Sequence, residues 1–224
     1  MKDATEVLFI LDKSGSMAHL SNDVIGGFNT FIAEQKKIEG EIFITVVAFN
    51  QKVEFYERRN LRSIDVIEDV FHYRADGLTA LYDAVGEGIE ELGKALAGIP
   101  EKERPDKIMV VIMTDGEENS SRNFNKDKIA SMIEHQRSKY QWQFLFMGAN
   151  IDVEKEAGAI SIPKRHTKSW APSSAGIRDA YGCASLGLSS LRKSGPPPAD
   201  AVVSDHWAKK LKDEITSLPV AKKG

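Results

Sequence analysis

Three short polar stretches carry the residues able to do chemistry. DKSGS, residues 12–16, follows the apolar run VLFIL; Thr79 stands in GLTALYDA; and TDGEEN, residues 114–119, follows IMVVIM. Between them they offer two carboxylates, Asp12 and Asp115, and three hydroxyls, Ser14, Ser16 and Thr79. All five are hard oxygen donors, which select Mg²⁺, Mn²⁺ or Ca²⁺ over softer transition metals. Mg²⁺ favours near-octahedral oxygen geometry and keeps several waters. Two carboxylates neutralise such an ion formally and leave it electrophilic.

Taken singly, each residue also has a plain structural use. Ser14 and Ser16 suit a polar turn, and Thr79 suits a helix cap. Other chemistries fit less well. KSGSM lacks the G-x-S-x-G of a hydrolase elbow, no G-x-x-x-x-G-K-[ST] phosphate loop occurs, and DKSGS lacks the second acid of a D-x-D phosphatase. His19 is the one base close to the motif, and it reads as a rim residue. His72, His135, His166 and His206 show no ligand spacing. Glu117 and Glu118 read as solvated acids colouring the rim.

The elements that must position these groups alternate in kind. Val7–Leu11, Ile42–Phe49, Ile108–Met113 and Trp142–Ala149 are short continuous apolar runs, the pattern of strands buried on both faces. VEFYE after NQK predicts an antiparallel edge strand, and His166–Trp170 another edge strand. Helical spacing links Val24, Ile25, Phe28, Phe31 and Ile32, with Ser21, Asn22 or Asp23 as cap. It also links Leu81, Val85, Ile89, Leu92 and Leu96, then Ile129, Met132 and Ile133, and finally Ile177, Tyr181, Ala184, Leu188 and Leu191. Short helices are expected at 63–70 and at 153–159. Strands alternating with helices predict a doubly wound, Rossmann-like, mostly parallel α/β sheet with helices on both faces. In such sheets ligands bind beyond the carboxyl ends of the strands, where the strand order reverses. All three polar stretches fit such ends.

Composition sets the limits. The chain has 224 residues, 42% hydrophobic and 28% charged, with a net charge of −3. Its pI near 6.0 leaves no electrostatic footprint for nucleic acid. The single cysteine, Cys183, excludes an intramolecular disulfide, suits a reducing compartment and reads as a buried small residue. No apolar run approaches the ~20 residues of a membrane span, and VLFIL is too short for a signal-peptide core. The expectation is a cytoplasmic protein with one α/β domain over 1–193. A Pro-rich linker from SGPPP and an amphipathic helix through Trp207, Leu211, Ile215 and Leu218 follow over 194–224.

D-x-S-x-S, a distant Thr before a helix and a T-D-G at a strand end resemble the metal-ion-dependent adhesion site (MIDAS) of von Willebrand factor A (vWA) domains. Asp12, Ser14, Ser16, Thr79 and Asp115 fill its five positions in order, and the resemblance covers roughly residues 6–191. It implies that Ser14, Ser16 and Thr79 bind Mg²⁺ (or Mn²⁺ or Ca²⁺) directly, while Asp12 and Asp115 act largely through bound water. It implies a non-enzymatic protein-binding module whose metal takes a Glu or Asp of a partner protein, with no nucleic acid or membrane involved. The unsignalled, one-cysteine chain looks like a stand-alone intracellular type, as in bacteria and their phages, which would place a phage-encoded copy in the host cytoplasm. Two other classes stay open: an assembly protein with a vestigial site whose C-terminal helix drives oligomerisation, and a metal-assisted hydrolase.

Overall fold

Each of the four apolar runs becomes a strand. In the computed structural model, which describes residues 4–194, β1 (Thr5–Asp12) is buried at all eight positions. It is flanked by β2 (Ile42–Phe49) on one side and β4 (Lys107–Thr114) on the other, parallel to both. β3 (Val53–Asn60) pairs antiparallel with β2 as one edge. β5 (Gln143–Gly148) and the three-residue β6 (Thr167–Ser169) continue the sheet in parallel beyond β4. The order is β3-β2-β1-β4-β5-β6. The chain therefore builds outward from β1 to one side, then returns to build from β4 to the other. The reversal falls between β1 and β4, whose carboxyl ends carry Asp12 and Thr114–Asp115.

Alternation along β1 divides the core into two layers. Val7, Phe9 and Leu11 face α1 (Ser21–Lys36) and α5 (Ser174–Ser194), whereas Leu8 and Ile10 face α2 (Leu81–Ala97), α3 (Lys126–Tyr140) and α4 (Val153–Ala159). Phe9 meets Phe28, Phe31 and Tyr181 with ring centroids 5.4, 5.5 and 5.8 Å apart. Contacts of this kind add about 0.5–1.5 kcal/mol each beyond plain burial. A methyl group at Gly27 would stand 2.2 Å from the Tyr181 ring, so α1 and α5 close on each other only because that position has no side chain. The fold class and the antiparallel edge match the sequence reading. Cys183 is buried, and burial lifts its thiol to about 11.

Two local expectations are corrected. Ser21, Asn22 and Asp23 do not cap α1 but form its first turn. A 3₁₀ turn over Gly15–Leu20 leads directly into the helix, and Ser21 N already donates to Ala18 O. The 63–70 segment contains no α-helix. It holds only a 3₁₀ turn at Ile67–Asp69, after another at Leu61–Ser63, because the Asp69 carboxylate takes the N–H groups of Asp65 and Val66 and closes the turn locally. The expected linker and amphipathic helix of 195–224 lie outside the described residues. Among the described residues no helix is long and apolar enough to cross a membrane.

Candidate metal centre

Asp12 ends β1 with its side chain fully buried. Its Oδ1 accepts Ser14 N at 2.7 Å, which turns the chain sharply out of the strand. Its Oδ2 accepts the Thr114 hydroxyl at 2.6 Å from the end of the neighbouring strand. The Asp12 carbonyl accepts the Tyr73 hydroxyl at 2.7 Å. The turn is pinned from outside as well: Lys13 N donates to Phe49 O, and Gly15 N to Gly77 O at 3.0 Å. Gly77 has φ +79°, a left-handed conformation that favours glycine, and a Cβ at Gly15 would lie 3.3 Å from Gly77 O. DKSGS and DGLT thus need their glycines where the two loops touch.

The hydroxyls then meet the second acid. Ser14 Oγ lies 3.1 Å from Ser16 Oγ, and Ser16 donates to Asp115 Oδ1 at 2.5 Å. Thr79 is buried, and a methyl group at Gly116 would stand 3.7 Å from its hydroxyl. Four of the five sequence-chosen residues are therefore joined directly or through one hydrogen bond, and the fifth adjoins the Asp115–Gly116 turn. Ser16 is exposed and opens the cluster to solvent. His19 is exposed on the rim. Its Nδ1 contacts the Ser16 carbonyl at 2.8 Å and engages neither hydroxyl.

Burial pushes the Asp12 carboxyl up to about 6, against the bonds from Thr114 and Ser14, and the charge of Asp115 adds to the rise. Burial likewise raises Asp115, opposed by the Ser16 hydroxyl and by His19. The two acids have no lysine or arginine ion pair among the described residues. Asp115 Oδ2 is buried and has no hydrogen-bond partner. A buried carboxylate oxygen left unpaired costs about 1–3 kcal/mol or more, and a hard cation would satisfy it. No group of three or more His, Cys, Asp or Glu side chains clusters as metal ligands among the described residues. The donor set is two carboxylates surrounded by hydroxyls, and it fits a hard divalent cation.

Some residues that build the site went unread in the sequence. Tyr73 carries no local signal, because its partner is a backbone oxygen on another strand. Glu118, expected to be solvated, accepts Tyr82 N, Ser120 N, Ser121 N and the Ser121 hydroxyl at 2.7–2.9 Å. Its position two residues before the pair Ser120 and Ser121 hinted at the local part of this turn. The bond across to Tyr82 had no such sign.

No protein-family model matches this sequence, and no curated protein matches it. Solved structures do. The vWF domain of the type V pili tip protein Mfa5 from Porphyromonas gingivalis superposes with a TM-score of 0.60 at 9% identity, over 88% of this chain and 98% of that one. Proximal thread matrix protein 1 from the mussel byssus, with a zinc-occupied MIDAS motif, gives 0.56 at 17% identity over 81% of this chain. Manganese-loaded TRAP protein of Plasmodium vivax gives 0.52 at 13% identity over 80% of this chain and 74% of that one. The fold is of the von Willebrand factor A type. This chain spans less than half of the mussel protein, 46% of its length.

Proposed function

We propose that this domain is a divalent-cation-dependent protein-binding module. Asp12, Ser14, Ser16, Thr79 and Asp115 would hold Mg²⁺, or Mn²⁺ or Ca²⁺ in its place, and a partner protein would present a Glu or Asp to the bound ion. The observation that carries this reading is the buried, unpartnered Asp115 Oδ2 beside a second buried acid, with no lysine or arginine paired to either among the described residues. The zinc-occupied MIDAS motif of the mussel protein and the manganese-loaded TRAP protein support a divalent ion. A bound cation supplies an electrophilic position for an acidic side chain; the chain supplies the rest. Thr114 and the Ser14 amide hold Asp12, Ser16 holds Asp115, and the exposed Ser16 edge leaves the approach open. Capture of an acidic group at the end of the switch-point strands needs no nucleophile or base, so the module is read as a binder.

Mn²⁺ titration of the metal-free protein, followed by electron paramagnetic resonance and by thermal denaturation, tests the reading. One saturable site is expected, with a rise in Tm that follows mass action. In a pull-down from cell extract, chelation should release a partner and Mg²⁺ should restore it. Wild-type protein without saturable Mn²⁺ binding overturns the reading.

A further inference from the structure

Helix α2 starts without a cap of its own. Its N-cap residue is Ala80, which has no side-chain acceptor, yet the first turn of any helix presents N–H groups that need one. The acceptors arrive from the loop after β4. Glu118 Oε2 takes Tyr82 N at 2.9 Å, and Ser121 Oγ takes Asp83 N at 3.0 Å. The service is returned, because the Asp83 carboxylate accepts the N–H groups of Arg122, Asn123 and Phe124 at 2.8, 2.9 and 2.8 Å. Between these points Asn119 grips Thr79 twice. Its Oδ1 accepts Thr79 N at 2.9 Å, and its own N donates to Thr79 O at 3.0 Å.

The strap joins two of the loops on which the donor set stands. Thr79 belongs to the loop before α2, and Asp115 begins the loop that carries Glu118 and Asn119. Ordering a free loop around a ligand costs backbone entropy for each residue fixed. A loop ordered on folding does not incur that cost when the ligand binds. We infer that Glu118 and Asn119 are positioning residues for the cation site, locking the Thr79 turn to the Asp115 loop so that both arms of the donor set stand in register before an ion arrives. The inference rests on the cation-site reading above and names residues outside the five-residue pattern.

Asn119→Ala and Glu118→Gln test it. The first removes the acceptor of Thr79 N and keeps the backbone bond to Thr79 O; the second replaces two accepting oxygens by one. Mn²⁺ affinity by electron paramagnetic resonance, Tm of the metal-free protein, and amide exchange at Thr79, Tyr82 and Asp83 are measured for each. Positioning predicts Mn²⁺ binding weakened about 10-fold, the range of supporting residues around metal ligands. It also predicts faster exchange at Thr79 in Asn119→Ala, and at Tyr82 in Glu118→Gln. Asn119→Asp, which keeps the acceptor, should bind Mn²⁺ at least as tightly as wild type. If exchange accelerates or Tm falls while the folded variants bind Mn²⁺ like wild type, the strap only holds the helix and the inference is wrong, though the cation site stands. If wild type itself does not bind Mn²⁺, both fall together.

Discussion

β1 carries a buried acid at each end, and the two are served in opposite ways. At its amino end Glu6 is fully buried, with Oε2 held by the Arg58 side chain at 2.8 Å and Oε1 unpartnered. Arg58 also lies 3.7 Å over the Phe43 ring, so the counter-cation at this pole is part of the chain and is fixed in place. At the carboxyl end Asp12 and Asp115 share a pocket of hydroxyls and amides, with no arginine or lysine paired to either among the described residues. Hydroxyls and amides orient a carboxylate but do not cancel its charge. A pole that brings its own cation is structural; under the function proposed above, a pole that gathers acids and withholds one would take its cation from solution. Both acids are raised by burial, Glu6 to about 7 and Asp12 to about 6, so the contrast lies in the partners and not in the depth.

The largest effect is expected at the carboxyl end of β1. Asp115→Asn should weaken Mn²⁺ binding by more than the ~10–100-fold seen for residues that merely support metal ligands. The metal-free Tm should hold or rise, since the charge of Asp115 opposes ionisation of Asp12. Calorimetric titration and a thermal melt check both. At the other pole, Arg58→Met leaves Glu6 buried without its cation and should cost about 3 kcal/mol at pH 8 by urea unfolding, with Mn²⁺ affinity unchanged.

Glu6→Gln sharpens the same contrast through pH. The folded carboxyl titrates near 7, above its ordinary value of 4.5, so its contribution favours the fold below pH 4.5 and is lost as pH rises through 7. The Gln variant should match wild type near pH 4.5. It should exceed wild type at pH 8 by at most about 3 kcal/mol, the full effect of the rise from 4.5 to about 7. Equal pH profiles for the two proteins would show that Glu6 does not titrate in the fold. The smallest effect is expected for Tyr73→Phe, which loses the bond to the Asp12 carbonyl. About 1 kcal/mol of stability should go, measured by urea unfolding, with little change in Mn²⁺ affinity.

Much of the site could be read in advance because its signals are local. Asp12, Ser14 and Ser16 stand within five residues at the end of an apolar run, and Asp115 repeats the arrangement after another. The strands and the five long or short helices at Ser21–Lys36, Leu81–Ala97, Lys126–Tyr140, Val153–Ala159 and Ser174–Ser194 follow apolar periodicity, which each segment carries by itself. Where a neighbour decided, the reading failed. Glu118 looked solvated because its partner Tyr82 stands in the first turn of α2, far away along the chain. The plain alternative for Thr79, a helix cap, is also excluded: the capping is done by Glu118 and Ser121, and Thr79 is gripped by Asn119.

The sequence by itself determined the donor types, the placement of Asp12, Ser14, Ser16 and Asp115 just at or after strand ends and the alternation that makes an open α/β sheet, since periodicity and turn chemistry act over a few residues. Only the tertiary structure decided that β1 lies beside β4, so that Asp12 meets Thr114 and Ser16 meets Asp115. It also decided that one buried acid of β1 receives an arginine while the other receives only hydroxyls and amides. Hydrogen bonds and ion pairs form between groups that are close in space, and for these groups closeness was set by strand order.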